Sequence, residues 1–156
     1  MDVTLAIESP LQDEVRAMVA ALNAYLRPLS PPQFQFQMTA EQMAGAHTTL
    51  FVLRNNEGAA LGMGALKVHG PKLGEVKRMF IRPDLRGTGL GRLILNAVES
   101  EARAKSLYVL RLETGGTPGF EPAWRVYERG GFVRCAAFLD YPDTEFSRFY
   151  EKKLRP

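Results

Sequence analysis

The sequence predicts an α+β domain, a mixed sheet with helices on both faces, and three observations carry that prediction. Segments of strand and helix character alternate in the order βααβββαβαββ, which supplies about seven strands. Asn55-Asn56-Glu57-Gly58 separates two apolar runs, the pattern of a hairpin. Leu90, Leu93, Ile94, Ala97 and Val98 recur at i, i+3, i+4, i+7 and i+8, the period of an amphipathic helix.

In order along the chain, residues 2–8 alternate weakly and read as a first strand. Ser9-Pro10-Leu11-Gln12 offers an N-cap, a proline for the first turn and a glutamine at the capping-box position. The helix that follows presents Leu11, Val15, Met18, Val19, Leu22 and Leu26 on one face and ends before Pro28. Ser30-Pro31-Pro32 breaks the chain, Phe34 and Phe36 lie in an aromatic loop, and Thr39-Ala40-Glu41-Gln42 opens a shorter helix. Thr48 to Arg54 and Ala59 to Val68 form the hairpin, and His69-Gly70-Pro71 turns into a third strand. After the long helix come a strand from Leu107 to Glu113, a glycine-rich loop, and a helix from Glu121 to Arg129 stopped by Gly130-Gly131. Phe132 to Phe138 and Phe146 to Leu154 are expected to close the sheet.

Size and composition bound the function. At 156 residues the chain is expected to be one domain, 1–156, burying roughly 70% of its unfolded surface. A net charge of +3 with no basic run longer than two residues argues against nucleic acid and suits a small polyanionic ligand. Cys135 is the single cysteine, so no intrachain disulfide forms and a reducing compartment fits. Residues 1–9 hold no apolar block of signal length, and no apolar run reaches membrane-spanning length; the expected location is cytoplasmic.

The chemistry gathers between Gly74 and Val98. Glu75-Val76-Lys77-Arg78-Met79-Phe80-Ile81 is a strand stopped by Pro83, followed by Arg86-Gly87-Thr88-Gly89-Leu90-Gly91-Arg92 at the start of the long helix. Three glycines within five residues let a ligand approach the backbone, and free amides, the helix dipole and two arginines converge there. That is an anion site suited to a pyrophosphate. It is not the dinucleotide fingerprint, because Arg92 stands where the third glycine belongs, and no Gly-Lys-Ser/Thr triplet makes it a P-loop.

Read as R-x-x-G-x-G after a strand, this stretch resembles the acetyl-CoA motif of the GNAT superfamily of N-acetyltransferases. Ala123-x-x-Val126-Tyr127-x-x-Gly130-Gly131-Phe132 is similar to the signature that closes that fold, and the tail resembles a small bacterial single-domain branch. One departure is Phe120-Glu121-Pro122, where that branch usually carries Gln-Pro; it leaves the contacts of the loop 115–121 open. The resemblance implies a central, mixed, mostly antiparallel sheet and an acetyl-CoA-dependent N-acetyltransferase that uses no metal. It implies CoA contacts from Met79, Phe80, Ile81 and the loop Arg86, Gly87, Thr88, Gly89, Leu90, Gly91 and Arg92. A homodimer is compatible with it.

Direct attack of an amine on a thioester requires a base for the ammonium and an acid for the departing thiolate. Glu75 stands before Arg86 at the spacing where the family's histone-acetylating branch places its general base; the competing reading is a solvated strand-end glutamate. Tyr127 matches the family tyrosine that protonates the thiolate; the competing reading is a packed helix tyrosine. Lys77 and Arg78 fall within a central strand and Glu113 ends the neighbouring one, where charges are costly unless paired or functional. They are either a structural ion-pair cluster or a site for a zwitterion, with Lys77 or Arg78 holding a carboxylate and Glu75 or Glu113 receiving the ammonium. The second reading predicts a small amino-acid-like amine as acceptor. The alternatives are a protein amine or a non-catalytic CoA-binding sensor. Tyr25, Phe34 and Phe36 could line the acceptor pocket, although aromatic residues near a helix end more often belong to a core. His47 and His69 have no metal-ligand spacing with each other or with Cys135.

Overall fold

The computed structural model of the protein describes residues 2–155; Met1 and Pro156, the ends of the expected domain, lie outside the described residues. Seven strands form one sheet in the order β1-β2-β3-β4-β5-β7-β6. They are β1 (Val3–Ile7), β2 (Thr48–Asn55), β3 (Ala60–His69), β4 (Leu73–Ile81), β5 (Val109–Gly115), β6 (Val133–Arg134) and β7 (Ser147–Lys153). Every pairing is antiparallel except β4 with β5, which are joined by the crossover helix α3 (Leu90–Ala104). The expected mixed, mostly antiparallel sheet is present.

Alternation along the strands sends side chains to two cores. On one face Val76, Leu110, Leu112 and Tyr150 pack against Leu95, Val98 and Ala102 of α3 and Tyr127 of α4 (Glu121–Arg129). On the other, Val52, Met63, Ala65 and Phe80 pack against Val15, Met18 and Leu22 of α1 (Asp13–Leu26) and Met43 of α2 (Ala40–Met43). Ile94 of α3 approaches β3 closely because residue 64 is glycine: a Cβ there would lie 2.5 Å from Ile94 Cγ2 and 2.6 Å from Met79 Sδ. Gly64→Ala should therefore destabilise the fold by about 1–3 kcal/mol through overpacking, measurable as a lower urea midpoint at unchanged m-value.

Local chemistry explains most boundaries. The Thr39–Gln42 capping box forms in both directions and starts α2 as expected. Asn55 Oδ1 accepts from the amides of Glu57 and Ala59, and Gly58 takes φ 85°, which closes the β2–β3 hairpin.

Several elements differ from the sequence reading. α1 begins at Asp13: Ser9 instead turns the chain by accepting from Leu11 N, and Gln12 reaches back to Glu8 and Ser9. Leu11 stays exposed because it lies in the turn before α1, and Leu93 because it lies at the margin of the α3 apolar stripe. β5 starts at Val109, since the amides of Tyr108 and Val109 bond Lys72 O at the mouth of the sheet. The strand expected over Phe132 to Phe138 shrinks to Val133–Arg134, because Phe138 turns inward to pack edge-on against Tyr141 and Phe149. Among the described residues no helix is long and apolar enough to cross a membrane.

Candidate active site

The site begins with a fork in the sheet. β4 and β5 pair only through Leu73↔Val109, Gly74↔Leu110 and Glu75↔Arg111. Beyond Glu75 they part, β4 staying with β3 and β5 with β7, so residues 76–81 have no strand partner on their open side. A cleft of about 610 Å³ occupies the gap and runs from the start of α3 to the turn after α1. An extended ligand chain can use the open edge as an added strand would.

A bulge re-aims β4 at the fork. Register passes from Ala65↔Lys77 to Met63↔Phe80, so Gly64 of β3 faces both Arg78 and Met79. Arg78 adopts φ 53°, a left-handed conformation that costs a non-glycine residue roughly 1–2 kcal/mol. Two consecutive side chains, Lys77 and Arg78, thereby line the cleft.

At one end lies the glycine-rich loop at the head of α3. Gly87 and Gly89 have φ 79° and 88°, and Gly89 is the N-cap of α3. A Cβ built at either would meet nothing within 4 Å, so the loop leaves open space over the helix N-terminus. Arg86, Gly87, Gly89, Leu90, Gly91 and Arg92 line the cleft, as do Met79, Phe80 and Ile81, whereas Thr88 turns away and donates to Leu85 O at 2.5 Å. Arg92 also donates to Arg129 O at 2.7 Å, tying α3 to the end of α4. Arg86 lies 4.2 Å from the Tyr25 ring centroid. Open space, a helix N-terminus and flanking cations fit a pyrophosphate. Gly89→Val should cost about 1–2 kcal/mol in backbone strain and abolish the acetyl-CoA-induced rise in Tm. An undiminished rise in the folded variant, read by scanning calorimetry, would remove this loop from the site.

The middle of the cleft holds Glu113 and Tyr127. Leu110 and Leu112 point to the α3 face, so Glu113 points to the other, and it shares the cleft lining with Tyr127 where the strands part. Burial pushes the Glu113 carboxyl up to about 7; the Ser147 hydroxyl, which donates at 2.9 Å, and the Lys77 charge pull it down, while Glu75 pushes it up. The Tyr127 side chain is buried, and its hydroxyl makes no hydrogen bond among the described residues. Burial first, and the Glu113 charge second, hold that phenol above its ordinary range. A carboxyl that titrates near neutrality and a protonated phenol without a partner make a proton-accepting and a proton-donating pair.

Glu75, the base candidate by spacing, stands apart from the cleft lining. It is 2% exposed, with one oxygen 2.8 Å from His69 Nε2 and the other accepting from Tyr141 OH at 2.5 Å. Lys77 Nζ donates to Tyr141 OH at 2.8 Å and lies 3.5 Å from Glu75. The structure thus divides the charges: Glu75 is closed into a cluster, Lys77 joins that cluster from the cleft lining, and Glu113 and Arg78 face the cleft with no ion-pair partner among the described residues. No periodicity links Tyr141 or His69 to Glu75, so the cluster could not be read from sequence.

The far end of the cleft is apolar. Leu22 and Leu26 of α1, which also pack in the core on that face, and Phe34 and Phe36 beyond it form its wall, while Tyr25 lines the cleft against Arg86. Phe34 stacks on Phe146 at 5.0 Å and Phe36 meets Tyr141 edge-on at 5.0 Å, fastening this wall to the segment before β7. The loop 115–121 packs beside it: Thr117 donates to Leu29 O at 2.7 Å, and Trp124 Nε1 to Gly115 O at 2.8 Å. Arg125 and Arg129 of α4 add cations to the phosphate side that sequence reasoning missed; their i, i+4 spacing on one helix face was the available signal. Among the described residues no cluster of three or more His, Cys, Asp or Glu could hold a metal ion.

These features have counterparts in known proteins. The model of the acetyltransferase (GNAT) family matches residues 15–132. An IAA acetyltransferase of Azospirillum brasilense is 37% identical over 154 residues, covering 98% of this chain and 99% of that protein. An uncharacterized N-acetyltransferase of Bacillus subtilis, YsnE, is 32% identical over 142 residues, covering 89% and 93%. A crystal structure from Klebsiella pneumoniae, provisionally named an acyl-CoA N-acyltransferase, superposes with TM-score 0.81 at 33% identity, covering 97% of both chains. Family model, relatives and the forked sheet with its phosphate loop agree, and the chain belongs to the acetyltransferase (GNAT) family.

Proposed function

We propose that this protein transfers the acetyl group of acetyl-CoA directly to the amine of a small, amino-acid-like metabolite. The observation that carries the reading is the pairing of Glu113, titrating near 7, with the free Tyr127 hydroxyl in the fork between β4 and β5. Arg86 and the amides at Gly87 and Gly89 would hold the pyrophosphate, and the open edge of Met79 to Ile81 the pantetheine. Bound there, acetyl-CoA supplies an activated acyl carbon. Glu113 accepts the proton of the acceptor's ammonium, and Tyr127 donates one to the departing sulfur. In this reading the base is Glu113 rather than Glu75, whose two oxygens are already engaged. The name of the Azospirillum relative, an acetyltransferase, supports the reaction class. The test is release of free thiol from acetyl-CoA in the presence of a panel of amines, with mass spectrometry of the product. Amine-dependent release with an N-acetylated product is expected; CoA binding without turnover on any amine would leave a sensor module.

A further inference from the structure

Resting on that acetyl-transfer reading, we infer that Arg78 is the anchor for a carboxylate on the acceptor, and that the acceptor is an amine bearing both a carboxylate and a large apolar group. Apolar amino acids and their close analogues are the class this describes. Arg78 is 8% exposed and lines the cleft, yet among the described residues it joins no ion pair. Its hydrogen bond goes from Nη2 to the neutral Asn23 side chain of α1, and its Nε is buried with no partner at all. A buried cation with an empty donor is costly unless something supplies the missing negative charge.

Nothing in the fold supplies it. Glu75 is engaged by His69, Tyr141 and Lys77, and Glu113, which accepts from Ser147, forms no ion pair with Arg78. Lys77 is a poorer anchor, because its ammonium already donates to Tyr141 and faces Glu75. The phosphates of CoA are not the missing partner either. Their loop supplies its own donors, Arg86, Arg92 and the free amides at the head of α3, while Arg78 bonds to Asn23 of α1. The left-handed backbone at Arg78 maintains this placement against its conformational cost. The same cleft is lined by Leu22 and Leu26, which flank Asn23 on α1, and by Phe34 and Phe36, which would cover an apolar side chain and strengthen a carboxylate–guanidinium pair by excluding water. Glu113 in the same cleft is left for the ammonium.

The experiment is calorimetric binding to the 156-residue chain saturated with CoA. The probes are L-phenylalanine and L-leucine, their amides, phenethylamine and isopentylamine, and spermidine, titrated into the wild type, Arg78→Gln and Arg78→Lys. The acids should bind the wild type at least about tenfold more tightly than their amides or decarboxylated amines. Arg78→Gln should erase that difference by weakening the acids alone, and Arg78→Lys should restore part of it. Amides binding as well as acids, no binding by any acid, or a preference that survives in Arg78→Gln would each overturn the proposal. The wild-type series stands without the variants should they fail to fold. Failure of the acetyl-transfer reading looks different: no amine would then draw free thiol from acetyl-CoA, whereas loss of the anchor alone leaves amine-dependent release without a preference for the carboxylate.

Discussion

Glu113→Gln is expected to lower kcat by about 10²- to 10⁴-fold and to remove the acidic limb of the pH–rate profile. In the wild type, kcat/KM should climb as pH rises through about 7, where the buried carboxyl loses its proton, and then level off. The amide keeps the shape of the side chain and a partner for the Ser147 hydroxyl, so the loss reports on proton transfer rather than on packing. Glu75→Gln supplies the contrast. It disturbs the His69–Tyr141 cluster and lowers stability, but the limb near 7 should remain. A limb that survives in Glu113→Gln and vanishes in Glu75→Gln would return the base to Glu75.

The same carboxyl leaves a mark on stability, and its sign follows from the direction of the shift. Its folded-state pKa is raised to about 7 from an ordinary 4.5, so between those values the folded protein binds the proton more tightly than the unfolded chain. Its contribution is complete below about 4.5 and is lost as pH rises through about 7. Urea midpoints measured across that window should fall with pH in the wild type and fall less in Glu113→Gln.

Tyr127→Phe is expected to lower kcat by about ten- to a thousandfold with little change in CoA affinity, because the hydroxyl matters only as the carbon–sulfur bond breaks. The ring contacts survive the substitution: Tyr127 packs edge-on against Phe132 at 6.2 Å and lies 6.1 Å from Tyr150. Since the hydroxyl has no partner within the protein, removing it strands no buried donor or acceptor. Single-turnover kinetics, which isolate the chemical step, provide the measurement; an unchanged rate there would reduce Tyr127 to packing.

The sequence by itself determined the parts of this protein that depend on near neighbours in the chain. Glycine spacing and apolar period placed the phosphate loop at the head of α3, and the Thr39–Gln42 capping box placed α2. Asn55 to Gly58 placed the hairpin, because in each case the interacting groups lie within a few residues of one another. The position of Tyr127 on a helix lining the cleft was legible for a related reason, its helix carrying a signature with fixed internal spacing. Tertiary structure alone decided how the charges on β4 and β5 are divided. Glu75, Lys77, Arg78 and Glu113 are charged candidates of equal standing in the sequence, and their surroundings follow from distant partners: His69 and Tyr141 for Glu75, Asn23 for Arg78, Ser147 for Glu113. The bulge that turns Lys77 and Arg78 toward one cleft arises from a register shift against β3, which no local pattern announces. Burial is likewise a property of the whole fold. Desolvation is what lifts Glu113 toward neutrality and leaves the Arg78 guanidinium short of a counter-charge, and it exists only once the strands have parted around a cleft walled by residues far apart in the chain.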